Sequence, residues 1–104
     1  GTYAALEQRA QACAAALQAR GVGPEVRVGI CADRSLDTII ALVAIIQAGG
    51  AYVPLDSAYP QERLRLMVRD AEVLLVLADP GQRDWLEEEG YEAVALDACV
   101  CDRA

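Results

Sequence analysis

The sequence predicts an α/β fold built on a mainly parallel sheet, and three observations point that way. Segments with helical spacing alternate with short apolar runs throughout the chain. The connections between them are too short for anything but right-handed parallel crossovers. One run, Val73 to Ala78, is apolar without alternation, the pattern of a central parallel strand covered on both faces. The expected architecture is three layers, with helices on either side of the sheet.

Thr2 is placed to cap a first helix whose inner face is Leu6, Ala10, Cys13 and Leu17. Ala5 stands where a glutamate would complete a capping box, so the first turn is expected to be weak. Gly21 ends this helix, and Gly21 to Pro24 makes a tight connection. Val26 to Ala32 then forms a strand, with Val26, Val28, Ile30 and Ala32 on one face. Arg27, Gly29 and Cys31 make a mixed second face for which partial cover is expected. Asp33-Arg34-Ser35 turns the chain, and Ser35 caps a helix from Leu36 to Ala48 with Asp37 in its first turn. From Ile39 to Ile46 that helix is almost wholly apolar, which demands burial on more than one side, although it is far short of the ~20 residues of a membrane span. It is expected to press hardest against the sheet and, in isolation, to leave apolar surface wet.

Gln47 to Asp56 joins this helix to the next strand. Gly49 and Gly50 stand where a helix C-terminus tolerates positive φ, and Pro54 assigns the strand to a sheet edge or its end, because proline has no N–H to donate. Pro60 suits the first position of a third helix, with Leu64, Met67, Val68 and Ala71 inside and Arg63, Arg65, Arg69 and Asp70 mostly solvated. After the Val73 to Ala78 strand, Asp79 caps and Pro80 opens a fourth helix carrying Trp85 and Leu86. It stops at Gly90, after three glutamates that oppose the helix dipole. Ala93 to Leu96 is a short fourth strand. Residues 2–97 form one unit, and 98–104 an unpatterned tail.

The chain has 104 residues, enough for one small domain that buries roughly two thirds of its unfolded surface. Its net charge of -7 argues against nucleic acid or anionic membrane as partners, since both require basic patches. No membrane-length apolar run and no signal-peptide pattern occur, so a soluble, cytoplasmic protein is expected. None of the four cysteines forms a C-x-x-C pair, which makes a zinc site improbable. Cys13 and Cys31 fall at apolar positions and are expected as buried free thiols, with Cys99 and Cys101 an adventitious pair.

In open parallel sheets, ligands gather beyond the carboxyl ends of the strands. Asp33, Asp56, Asp79 and Asp97 each follow a predicted strand, and such carboxylates can hold magnesium for phosphoryl transfer. Turn and cap roles fit better, given neighbouring Ser35, Ser57 and Pro60. The nine basic residues are all arginines, so the lysine of a phospho-receiver is missing, and there is no histidine for a nucleophilic triad. Neither G-x-G-x-x-G nor G-x-x-x-x-G-K-[ST] occurs. No catalytic, cofactor-binding or metal-ligating residue is therefore assigned.

Ile46 to Asp56, IQAGGAYVPLD, resembles the second core motif of the adenylation domains of non-ribosomal peptide synthetases, departing only by Ile46 for leucine and Gln47 for lysine. Thr2-Tyr3-Ala4-Ala5-Leu6 resembles their first core motif, with Ala5 replacing a glutamate. Gly21 to Asp37 and Ser57 to Ala71 are similar in the same order and spacing, so the resemblance runs from Thr2 to about Asp97. It implies the adenylate-forming fold shared with acyl-CoA synthetases and luciferases. Such a domain joins an amino acid to ATP, with magnesium, as an aminoacyl-adenylate. It then passes the amino acid to the phosphopantetheine thiol of a neighbouring carrier domain. The family's phosphate-binding loop, substrate pocket, ATP-binding aspartate and lid lysine all come after the motifs present here. The resemblance therefore implies a structural segment, inactive alone, in which Tyr52, Pro54 and Asp56 serve packing and turns. Its partners would be the remainder of the adenylation domain and, indirectly, carrier and condensation domains. Two alternatives are a truncated adenylation-like interaction module and a small acidic magnesium-binding phosphotransfer domain.

Overall fold

The computed structural model describes residues 2–101, the side chain of Thr2 excepted. Helices and strands alternate as α1 (Thr2–Ala19), β1 (Arg27–Ala32), α2 (Leu36–Gln47), β2 (Ala51–Asp56), α3 (Gln61–Ala71), β3 (Leu75–Ala78), α4 (Pro80–Glu88), β4 (Ala93–Ala95) and α5 (Leu96–Val100). The strands form one parallel sheet in the order β2-β1-β3-β4. Within it, Ile30 of β1 lies level with Pro54 on one side and Leu77 on the other. Pro54 thus sits on an edge strand, where a residue without N–H is tolerated. β3 is central and wholly buried, which is what its unbroken apolar sequence requires.

Two cores lie on opposite faces of the sheet. Val28, Ile30, Leu75 and Leu77 face α1, α2 and α5, while Cys31, Leu55, Val76 and Ala78 face α3 and α4. The period-two alternation along β1 and β3 sends their side chains to the two cores in turn. The second face of β1 is better covered than expected: Gly29 and Cys31 are buried and only Arg27 is exposed. Room for that cover comes from Gly29, where a Cβ would lie 3.0 Å from Leu55 Cδ1 and 3.2 Å from Val76 Cγ2. The predicted inner faces of α1 and α3 hold, with Ala10, Cys13, Leu17, Leu64 and Val68 all buried.

Ser35 caps α2 through a capping box: its hydroxyl accepts from the Thr38 N–H at 3.3 Å, and Thr38 Oγ1 accepts from the Ser35 N–H at 3.0 Å. Rather than pressing on the sheet alone, α2 divides its buried residues Ile40, Ala41, Ala44 and Ile45 between α1 and the sheet. At its C-terminal joint the two glycines do different things. Gly49 has φ of +91°. Gly50 does not have positive φ, and its constraint is space, because a Cβ there would lie 2.7 Å from Val22 Cγ1 and 3.0 Å from Val26 O.

Several expectations are corrected. Asp97 to Val100 belong to a helix, α5, which buries Leu96 and Val100; five residues are too few to show a period in sequence. Pro60 stands at the N-cap of α3 instead of its first helical position. Thr2 is already helical, and its proposed capping side chain lies outside the described residues. Cys13 is buried but not free, since it is paired in a disulfide with Cys99, 86 residues away, with Cα atoms 5.2 Å apart. Cys99, expected to have no cross-linking role, is thus corrected too, while Cys101 is exposed and unpaired. Arg9 reinforces the same corner, its Nε donating to Val100 O at 2.8 Å and its Nη2 to Asp37 Oδ1 at 3.0 Å. One arginine thereby ties α1 to α2 and α5.

Candidate functional site

In a parallel sheet the ligand crevice lies at the carboxyl end where the strand order reverses. Here β1 connects through α2 to β2 on one side, and β2 returns through α3 to β3 on the other, so the reversal falls between β1 and β3. The two helices lie on opposite faces of the sheet, as right-handed crossovers in opposite directions require. Asp33 follows β1, Asp56 ends β2 and Asp79 follows β3, so sheet topology gathers three of the four strand-end aspartates here.

Hydrogen bonds link these residues across the strand ends. The Asp33 N–H donates to Asp79 Oδ2 at 2.9 Å, and Ser57 Oγ donates to Asp33 Oδ1 at 2.8 Å. The Asp79 N–H donates to Cys31 O at 3.1 Å, extending the β1–β3 ladder by one rung. Asp56 Oδ1 accepts from the Ala58 N–H at 2.9 Å, an Asx-turn that sends the chain from β2 toward α3. Asp79 occupies the N-cap position of α4 but makes no side-chain cap hydrogen bond; its Oδ2 accepts from Asp33 instead. The fourth aspartate, Asp97, is not drawn into this network; its Oδ1 accepts from the neighbouring Ala98 N–H at 2.8 Å. Among the described residues, no three His, Cys, Asp or Glu side chains are placed to hold a metal ion. In this arrangement the carboxylates of Asp33, Asp56 and Asp79 act as turn and bridging groups.

Cys31, the second-last residue of β1, brings a thiol close to this end, and its surroundings suppress it. Burial pushes its thiol up to about 11, with the negative charges of Asp79 and Asp56 adding to the effect. Its Sγ lies 3.8 Å from Gln82 Oε1, which also accepts from Trp85 Nε1 at 2.8 Å. An acceptor facing the sulfur favours the thiol over the thiolate, so Cys31 packs as a small apolar group. Sequence reasoning missed Gln82 and read Ser57 only as a turn neighbour of Asp56, since a polar residue beside a turn carries no signal of the strand it will face.

Geometry thus defines a three-layer parallel α/β unit whose strand-end crevice is bridged by its own side chains. A family model described as AMP-binding enzyme matches residues 1–102, and the chain belongs to that family. It is 47% identical over 96 residues to chondramide synthase cmdD of Chondromyces crocatus, a match covering 92% of this chain and 2% of that protein. With AMB antimetabolite synthetase AmbB of Pseudomonas aeruginosa the identity is 44% over 96 residues, covering 92% and 8%. Polyketide synthase PksN of Bacillus subtilis is 48% identical over 83 residues, covering 80% and 2%. The chain thus spans 2–8% of the length of these relatives. Among solved structures it superposes on holo-AB3403, a four-domain nonribosomal peptide synthetase bound to AMP and glycine. The TM-score is 0.83 and the identity 33%, with 90% of this chain and 7% of that one covered. ATP-bound MatB from Rhodopseudomonas palustris gives a TM-score of 0.83 at 29% identity, covering 98% and 23%. The resemblance to nonribosomal peptide synthetase adenylation domains therefore holds in sequence and in fold.

Proposed function

We propose that the chain is the opening segment of an amino-acid-activating adenylation domain. In the complete domain, the substrate carboxylate displaces pyrophosphate from ATP to form an aminoacyl-adenylate. A carrier-domain phosphopantetheine thiol then takes the aminoacyl group and releases AMP. The observation that supports this most directly is the superposition on a peptide synthetase at 33% identity over 90% of the chain. In this proposal the 104 residues are scaffold: the strand-end carboxylates are committed to turns and bridges, and Cys31 is held protonated. ATP, magnesium and amino acid would all be held by the remainder of the domain, with carrier and condensation domains as further neighbours. A cytoplasmic location belongs to the same proposal. No helix among the described residues is long and apolar enough to cross a membrane.

ATP–pyrophosphate exchange with pooled amino acids tests it. The parent protein should exchange in the presence of at least one amino acid, and the 104-residue chain with none. Exchange by the short chain would overturn the scaffold role, and a parent inactive with every amino acid would overturn the activity.

A further inference from the structure

α5 is five residues long and has no side-chain cap, and a single helical turn of that kind does not persist in water on its own. Tertiary contacts hold it. Leu96 and Val100 are buried in the core shared with α1 and α2, Val100 O accepts from Arg9 Nε at 2.8 Å, and Cys99 is bonded to Cys13 of α1. The two sulfurs of that bond differ in access. Cys13 is 0% exposed, whereas Cys99 is only partly buried and is followed two residues later by the exposed Cys101. A thiolate arriving from solvent therefore meets Cys99 first, and Cys13 is the sulfur it displaces. α1 and α2 also pack directly on each other, with Arg9 Nη2 on Asp37 Oδ1 at 3.0 Å, so their contact does not depend on α5.

We propose that the Cys13–Cys99 bond is a reversible redox clasp: low-molecular-weight thiols open it, and opening loosens α5 while the sheet and the α1–α2 contact stay in place. In the first step a thiolate of the glutathione class attacks Cys99 Sγ and the bond to Cys13 breaks. The Cys13 sulfur leaves with the bonding pair and takes up a proton. A second such thiolate attacks the small-molecule sulfur of the mixed disulfide, and Cys99 leaves and is protonated in turn. Two small thiols are thereby oxidised to one disulfide, and the protein bond is reduced by the same two electrons. Run backwards, an oxidised small disulfide closes the clasp. Closed, the bond joins residues 86 apart and pins α5 to α1; open, the turn keeps its two buried side chains and the Arg9 bond. The inference rests on the cytoplasmic location proposed above for its thiol pool, and disulfides in such a compartment are usually transient or redox-sensing.

The test equilibrates the intact parent protein in glutathione buffers of stepped reduced-to-oxidised ratio. Alkylation followed by mass spectrometry of the Cys13 peptide reads the clasp, and hydrogen exchange of residues 96–101 reads α5. Cys13 should pass from blocked to alkylated across the series. In step with it, exchange of residues 96–101 should quicken on the order of tenfold or more, at labelling times that leave Leu75–Ala78 of β3 unlabelled in both forms. Cys99→Ser cannot close the clasp and should exchange at the reduced rate in every buffer; should it misfold, the wild-type titration decides alone. A Cys13 that stays in one state across the whole series overturns the inference. Equal exchange of α5 in the two forms overturns it as well, and so does β3 exchanging along with α5, which would make the bond a staple of the whole fold. The buffer sets the redox poise and no catalysis is read, so a clasp inert to glutathione in an active synthetase sinks this inference alone. A responsive clasp in a protein without pyrophosphate exchange sinks the functional proposal alone.

Discussion

Gly50→Ala is the substitution whose outcome the structure determines most directly. The added Cβ would lie 2.7 Å from Val22 Cγ1 and 3.0 Å from Val26 O. The valine methyl can swing aside, but the carbonyl cannot, since Val26 O accepts the Ala51 N–H at 2.9 Å where β1 and β2 begin to pair. The Gly50 N–H, meanwhile, donates to Ile45 O at 3.0 Å and holds the glycine against the end of α2. Overpacking of this kind costs about 1–3 kcal/mol. Alanine also narrows the unfolded ensemble, which offsets about 0.4–1 kcal/mol, so the net expectation is a loss of up to about 2.6 kcal/mol, centred near 1 kcal/mol. Gly81→Ala supplies the opposite sign, because a Cβ there meets nothing within 4 Å and the residue sits in α4, where alanine is favoured by about 0.5–1 kcal/mol. Urea unfolding of the 104-residue chain, followed by the single tryptophan, Trp85, measures both. A Gly50→Ala variant more stable than wild type, as the unfolded-state effect alone would make it, with Gly81→Ala stabilising as expected, would refute the steric account of this joint.

Ser35→Ala removes one half of the α2 capping box and should cost about 1 kcal/mol by the same assay, with no change in m-value. Cys31 makes stability fall with rising alkaline pH. Its folded thiol is raised from 9.0 to about 11, so the unfolded state releases its proton first. The contribution is intact below pH 9.0, lost progressively toward pH 11 and flat beyond. Comparing unfolding of wild type and Cys31→Ala across that window isolates the effect, and parallel curves would contradict it. Oxidising the Cys13–Cys99 pair closes a loop between residues 86 apart, worth about 4–5 kcal/mol in the chain-entropy model. Unfolding with and without dithiothreitol should differ in that direction, and Cys99→Ala should abolish the difference.

The layered fold was legible in the sequence because it rests on local regularities. The four-three-four rhythm of inward-facing positions in α1, the uninterrupted Val73 to Ala78 run and the glycine-ended α2 each report a period or a backbone restriction that neighbouring residues alone impose. Pro54 limited its strand to a sheet edge or its end, since a missing N–H is a covalent fact, and β2 is an edge strand. The family was legible for a related reason, as Ile46 to Asp56 compresses a helix end, two glycines and a strand into one recognisable string.

What the tertiary structure decided are relations between residues far apart in the chain. Cys13 finds Cys99, and Arg9 reaches Val100 and Asp37, only because α1, α2 and α5 converge on one face of the sheet. Asp79 reads as a helix cap in sequence, yet its carboxylate goes to Asp33 because β1 and β3 are neighbours. Gly50 looks like a second C-cap glycine, but the Val22 methyl and Val26 carbonyl beside it make it a matter of room. The sequence also marks α2 as apolar all round, while only packing determines that Ile40, Ala41, Ala44 and Ile45 go inside and Leu36, Ile39, Val43 and Ile46 stay out. Periodicity is encoded by residues within a few positions of one another. Which face is covered, and by what, depends on where separate elements meet in space, and no local pattern contains that.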